Sequence, residues 1–299
     1  MRRIWPLWLA LLLLFTAVLL PPIARQRPIQ RFLLTFDISQ SMNVEDVFLE
    51  GNAVSRLELA REAARTLVYE LPCGSQVGLS VFAGQRALSL LVPLETCEHY
   101  AGLISAIDAI DGSMRWANAS SIGRGLHKSL RAAHAMGGDI AVVLLSDGHE
   151  APPLRAGRKG MPKPDNPGAY GYVVGIGGEL PSKIPKLDAE GRISGYWQAE
   201  EVVQLSGAAN GQSHEELSNL HEEHLIQLAL LAELDYVRLD SPQSFARELA
   251  SSVAQRQESV PVDLRWIPAS LALLVLCLFL MPGAVFGVQR RPSMIVWRK

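Results

Sequence analysis

The chain has 299 residues, 48% of them hydrophobic and only 19% charged, a balance too apolar for one ordinary soluble domain. The excess sits at the two ends: residues 4–23 and 266–288 carry no charge, and each run reaches the roughly 20 residues needed to cross a bilayer core about 30 Å thick. Between them, residues 31–262 hold 19 Lys/Arg against 29 Asp/Glu, a net charge of −10, which repels phosphate backbones and argues against nucleic acid as a partner.

The chain opens Met1-Arg2-Arg3 and turns apolar at once, as a secretory signal or an uncleaved anchor does. No small-x-small cleavage site stands around residues 19–25, so an uncleaved anchor is expected. After the second run, Arg290, Arg291, Arg298 and Lys299 place the tail in the cytoplasm by the positive-inside tendency. The expected organisation is an anchor or signal at 1–30, a globular domain at 31–262 outside the cytoplasm, a second transmembrane helix at 263–288 and a cytoplasmic tail at 289–299.

Within the domain, residues 32–36 form a short apolar run ending at Asp37, as a buried central strand reads. Residues 56–71 carry Leu57, Ala60, Ala64, Leu67 and Val68 at amphipathic-helix spacing, stopped by Pro72 and Gly74. Residues 76–82 and 87–92 predict a hairpin. If Phe82 faces Ala87, paired numbers sum to 169, Cys73 falls opposite position 96, and one residue of slack brings Cys97 across from it. A disulfide closing the hairpin is geometrically feasible and requires an oxidising compartment; two buried thiols are the alternative. Helical patterns follow at 99–110 and 122–136, then a fully apolar strand at 140–145 ending in Ser146-Asp147-Gly148. Five prolines and three glycines make 151–169 a surface loop. A third central strand is expected at 172–176, a helix at 215–234, a short strand at 236–239 and a last helix at 242–253. Strands alternating with helices predict an α/β fold, a doubly wound, mostly parallel sheet covered on both faces.

In such sheets ligands bind at the carboxyl ends of the strands, where strand order reverses. The residues just past two apolar strands are Asp37-Ile38-Ser39-Gln40-Ser41 and Ser146-Asp147-Gly148. Two carboxylates and several hydroxyls suit a hard divalent cation, Mg²⁺ above all, with Mn²⁺ or Ca²⁺ as alternatives. D-x-S-x-S alone is also a common turn, whose Asp and Ser bond the local backbone; its place after a buried strand raises it above that.

Phe36-Asp37-Ile38-Ser39-Gln40-Ser41-Met42, the helix after it, 77–82, Ser120-Ser121-Ile122-Gly123-Arg124-Gly125-Leu126 and Leu144-Leu145-Ser146-Asp147-Gly148 resemble a von Willebrand factor A domain in order and spacing, over roughly residues 31–250. The resemblance implies a metal-ion-dependent adhesion site: Ser39 and Ser41 on the metal, Asp37 and Asp147 acting nearby, partly through water. The family's second loop usually supplies a threonine; the matching position is Ser120, with Ser121 beside it as an alternative. An A domain between two anchors is similar to bacterial inner-membrane proteins of the Bat (aerotolerance) type. The phrases Ser41-Met42-Asn43-Val44-Glu45-Asp46 and Leu71-Pro72-Cys73-Gly74-Ser75 also resemble the MxaL-type proteins encoded with methanol dehydrogenase. That narrower likeness implies help in maturing a periplasmic quinoprotein dehydrogenase, alongside other membrane A-domain proteins and a MoxR-type ATPase.

Other motifs carry less. His221-Glu222-Glu223-His224 fails the metalloprotease spacing, which needs histidines four apart. His149 and Glu150 border the metal rim or are simply loop residues. Asp37 as a phosphoryl acceptor lacks the second carboxylate two residues on, where Ser39 stands. The expectation is a non-enzymatic, metal-dependent protein-binding domain in the periplasm, taking an Asp or Glu from a partner protein, with a metal-dependent hydrolase using Asp37 as the rival.

Overall fold

In the computed structural model, which describes residues 4–137, 139–154, 170–188, 190–204, 214–251 and 256–280, the apolar run before Asp37 forms strand β1, Arg31–Asp37. Phe32, Leu34 and Phe36 face one layer of helices and Leu33 faces the other, all buried. The chain continues through helix α1 (Arg56–Glu70), strands β2 (Gln76–Ala83) and β3 (Arg86–Glu95), and helices α2 (Tyr100–Asp108) and α3 (Ile122–Ala135). Strands β4 (Ala141–Ser146) and β5 (Gly171–Gly175), helix α4 (Glu222–Ala232), strand β6 (Asp235–Arg238) and helix α5 (Pro242–Ala250) complete it. The six strands lie in the order β6-β5-β4-β1-β2-β3. All neighbours are parallel except β2 and β3. Helices α1, α2 and α5 cover one face and α3 and α4 the other. Each fully buried Leu, Val or Phe contributes about 1.5–3 kcal/mol. This is the expected doubly wound fold.

Local signals explain the boundaries. Ser55 caps α1, its Oγ accepting the Glu58 N–H at 3.1 Å, and Pro72 stops it. The β2–β3 hairpin starts in the anticipated register, with Phe82 opposite Ala87 and Ser80 opposite Ser89. Two bulges then each add one residue to β3, so that Gln76 faces Glu95. Past the end of the paired strands, Cys97 and Cys73 form a disulfide with Cα atoms 5.3 Å apart.

The chain divides into two compact units, Pro28–Gln257 and a second made of Met1–Arg27 with Glu258–Lys299. In the second unit the apolar runs form helices Trp5–Leu19 and Trp266–Leu280, which pack on each other. The expected transmembrane lengths are not reached. Each helix has 15 residues, about 22 Å at 1.5 Å per residue, and no helix among the described residues is long and apolar enough to cross a membrane. Pro21 and Pro22 explain the early end of the first, since the residue before a proline is driven from helical backbone; the chain turns extended at Ile23–Ile29, which pairs with Arg256–Val262. Residues 281–299, including the tail, lie outside the described residues, as do 155–169 of the proline-rich loop and 252–253 at the end of the last expected helix.

The helix expected at 215–234 begins only at Glu222. Leu217–Ser218 instead pairs with Ser182–Lys183, and the Leu220 and His221 N–H groups go to the carbonyls of Gly178 and Asp147. A second small ribbon pairs Pro185–Leu187 with Ile193–Tyr196. These ribbons, and a hairpin of Val47–Leu49 with Asn52–Val54, were not visible in the hydrophobic pattern.

Candidate metal centre

β1 and β4 are adjacent, and the chain leaves β1 toward β2 on its other side, so the crevice at their carboxyl ends is where strand order reverses. Past β1 the backbone takes a tight turn: Met42 N–H bonds Ser39 C=O at 3.1 Å and Val44 N–H bonds Ser41 C=O at 3.2 Å. This folds the loop back so that Ser39 Oγ and Ser41 Oγ stand 3.2 Å apart. The Asp37 carboxylate accepts the Ser39 N–H at 2.9 Å and the Ser146 hydroxyl at 2.7 Å. Past β4, Gly148 adopts a φ of +79°, and a Cβ there would lie 2.9 Å from Leu225 Cγ. That turn brings the His149 N–H onto Asp147 Oδ1 at 3.0 Å.

The second loop is clamped between the others. Ser120 exchanges both backbone hydrogen bonds with Ala151, at 2.7 and 2.9 Å, and the Ser121 N–H bonds Gly84 C=O at 2.7 Å. Glu150 accepts the Ile122 N–H at 2.9 Å, satisfying a first-turn amide of α3 from outside the helix. Ser120 is 2% exposed, and its Oγ has no hydrogen-bond partner among the described residues. Ser121 is half-buried and only begins the helix.

Asp37 and Asp147 are both fully buried but ionise differently. Burial, reinforced by the charge on Asp147, pushes the Asp37 carboxyl up to about 7 against the hydrogen bonds from Ser146 and Ser39. Burial also works against Asp147, but Arg56 and the His149 backbone N–H help hold it below the usual carboxylate range. Arg56 is itself fully buried. Its Nη1 donates to Asp147 Oδ2 at 2.5 Å and to Ser218 Oγ at 2.8 Å, while Nε and Nη2 grip Asp46 at 2.9 and 2.5 Å. The His149 ring, edge-on to His221 at 5.4 Å, is pushed down to about 4 by burial, so it is neutral at pH 7.

The residues present fit a hard cation on two counts. The donor set is hydroxyl and carboxylate oxygen. Moreover, one guanidinium faces Asp46 and Asp147, while among the described residues none faces Asp37 and the buried Ser120 hydroxyl has no hydrogen-bond partner. The structure thus brings Asp37, Ser39, Ser41, Ser120 and Asp147 together. The other ligand cluster among the described residues, Cys73, Glu95 and Cys97, is spoken for: the sulfurs are bonded, and Glu95 accepts the Gly74 and Glu98 N–H groups.

Sequence reasoning missed Arg56, Asp46 and Ser218. A signal for Arg56 existed: it stands four residues before Ala60 on the buried face of α1, where a charge must find a partner. Nothing local pointed to Ser218, which reaches Arg56 across 162 residues of sequence.

No protein-family model matches the chain. A UPF0353 protein of Mycobacterium leprae (strain TN) is 34% identical over 174 residues, 53% of this chain and 45% of that protein. A UPF0353 protein of Mycolicibacterium gilvum (strain PYR-GCK) is 34% identical over 148 residues, 46% of this chain and 38% of that protein. The chain thus spans less than half the length of these curated relatives. Two solved structures share the fold. An aerotolerance-related membrane protein from Bacteroides fragilis NCTC 9343 aligns with a TM-score of 0.53 at 21% identity, covering 73% of this chain and 95% of that one. The conserved hypothetical protein BatB from Bacteroides thetaiotaomicron aligns with a TM-score of 0.51 at 23% identity, covering 74% and 95%.

Proposed function

We propose that this chain is a membrane-anchored, von Willebrand factor A-like binding module on the periplasmic side of a bacterial inner membrane, and that it captures a partner protein through a divalent metal, Mg²⁺ before Mn²⁺ or Ca²⁺. The observation that carries this reading is the pair of hydroxyls of Ser39 and Ser41, 3.2 Å apart beside two buried carboxylates, with Ser120, whose hydroxyl has no hydrogen-bond partner among the described residues, lining the same cleft. A cation held there supplies positive charge to a partner's Asp or Glu. Ser39, Ser41 and Ser120 offer uncharged oxygens, which leave that charge undiminished. Arg56 occupies one oxygen of Asp147 and so limits its share in neutralising the ion.

The anchoring rests on the apolar runs at 4–23 and 266–288, of which the helices Trp5–Leu19 and Trp266–Leu280, too short to span alone, form part. Both are apolar on every side, with Trp8, Leu12, Phe15, Leu273 and Leu280 at least 59% exposed, as suits a lipid environment. The Cys73–Cys97 disulfide supports the oxidising side of the membrane. Within this reading the module assists maturation or assembly of a periplasmic protein such as a quinoprotein dehydrogenase. The fold shared with the Bacteroides proteins favours a second setting, a Bat-type stress-tolerance complex of membrane A-domain proteins served by a MoxR-type ATPase. A hydrolase using Asp37 is disfavoured because both its oxygens are already engaged, by the Ser39 N–H and the Ser146 hydroxyl.

The test is affinity capture from native membranes in Mg²⁺, with the intact chain and with folded Asp37→Ala, followed by mass spectrometry. A periplasmic partner held by the first and lost by the second is the expected result. Identical partners in both captures refute the metal bridge, and phosphoester turnover that requires Asp37 would replace it with the hydrolase.

A further inference from the structure

Segments far apart in sequence meet on one buried guanidinium. Arg56 Nη1 lies 2.5 Å from Asp147 Oδ2 and 2.8 Å from Ser218 Oγ, and Nη2 donates to the Ser218 C=O at 3.1 Å. On the other side Nε and Nη2 hold both oxygens of Asp46, whose Oδ2 also accepts the Gly178 N–H at 3.0 Å. The head group is closed in by backbone: a Cβ at Gly177 would lie 2.9 Å from Arg56 Nε. The buried Ser218 hydroxyl donates to the same Asp147 oxygen at 3.2 Å. Two donors therefore occupy Asp147 Oδ2, and a carboxylate oxygen has only about two lone-pair sites. Drawing Oδ2 away would break a buried ion pair and strand a charge, which is strongly unfavourable. What Asp147 can turn toward a metal is at most Oδ1, which already accepts the His149 N–H.

We propose that Arg56, backed by Ser218, sets the cation specificity of the centre, an inference that rests on the metal-bridge reading. By holding Oδ2 the two residues keep Asp147 from giving both oxygens to one ion. Ca²⁺ takes about 6–8 oxygens, with carboxylates free to bind through one oxygen or two, whereas Mg²⁺ takes roughly six at shorter range and keeps several of its waters. Ser39, Ser41 and Ser120 offer a single hydroxyl oxygen each, and both Asp37 oxygens already accept a donor. A centre so short of free carboxylate oxygen suits the ion that keeps water and disfavours the one that needs more ligands. Arg56 acts through Asp147, so it is a positioning residue and stands apart from the ligands themselves.

The test is isothermal titration of the full chain in lipid nanodiscs with MgCl₂ and, separately, with CaCl₂. The native chain should bind Mg²⁺ more tightly than Ca²⁺. Arg56→Gln with Asp46→Asn removes the guanidinium together with one of the two carboxylates it pairs. This double variant should raise the Ca²⁺-to-Mg²⁺ affinity ratio severalfold, since changing the groups that orient a ligand shifts metal affinity by roughly 10–100-fold. Ser218→Ala should move the ratio the same way by less. Leu67→Ala, a core truncation on the same helix, weakens the fold and should leave the ratio where it was, which tells specificity apart from a general loss of stability. A ratio that does not move in the double variant overturns the inference and spares the metal bridge; if that variant does not fold, Ser218→Ala decides alone. A native chain that prefers Ca²⁺ also overturns it and leaves a metal-binding module. Binding of neither ion by the native chain removes the metal bridge itself, and the inference with it.

Discussion

Asp37 and Asp147 end neighbouring buried strands, and each accepts the backbone N–H two residues on. They differ in what faces them. Asp147 meets a guanidinium at 2.5 Å; Asp37 meets hydroxyl and amide donors and the charge of Asp147 itself. The third loop is therefore electrostatically complete and the first is not. The fold has fixed one carboxylate with an internal cation and left the ionised form of the other as a cost in stability.

The sharpest way to break this contrast is to remove the internal cation. Arg56→Met should destabilise the domain by about 3–5 kcal/mol, because it strands Asp147 and Asp46 without their partner, and Arg56→Met with Asp147→Asn should recover part of that. Chemical denaturation of the three proteins measures it; a shift under about 1 kcal/mol would show that Arg56 is not what holds Asp147.

The second prediction concerns pH in the presence of chelator. Asp37 is raised from 3.8 to about 7, so its contribution to stability is present below pH 3.8 and is lost as pH rises through about 7. Asp147, shifted down, loses its contribution only as pH falls below its ordinary value. Metal-free Asp37→Asn should accordingly be more stable than the native chain, by up to a few kcal/mol, with a gap that opens between pH 4 and 8. A gap that closes over that range contradicts the assignment. Adding Mg²⁺ should then raise the melting temperature of the native chain more at pH 8 than at pH 5.5, and leave that of Asp37→Asn unmoved. Ser120→Ala should weaken this shift severalfold and Ser121→Ala should not, and equal effects would place the second-loop ligand elsewhere. The smallest effect belongs to Glu150→Ala, which uncaps α3 for about 1 kcal/mol, with Glu150→Gln milder; hydrogen exchange at Ile122 reports it directly.

The fold was legible wherever burial imposes a period. β1, β4 and β5 are apolar along their length, and α1 shows its buried face at every turn, so those elements stand where the pattern places them. Asp37, Ser39, Ser41 and Asp147 were legible as candidates because they follow immediately after such strands, whereas Ser120, which follows none, was reached only through the resemblance to an A domain. The two small ribbons were not legible: their strands span two to four residues, too short for alternation to register, and in one of them Leu217 pairs with Lys183, far off in sequence. Arg56 hid inside an otherwise ordinary amphipathic helix.

The bulged hairpin has a consequence for how copies of this protein meet. β3 is ten residues long, lies at the edge of the sheet and exposes Leu88 and Val92 at 54% and 60%, which ordinarily invites a strand from another molecule to add to it. The two bulges interrupt its regular spacing, Pro93 contributes no donor, and the disulfide pins the residues beyond its end. A neighbouring chain laid along that edge finds no continuous ladder to complete, so these irregularities keep crowded copies from zipping into one another.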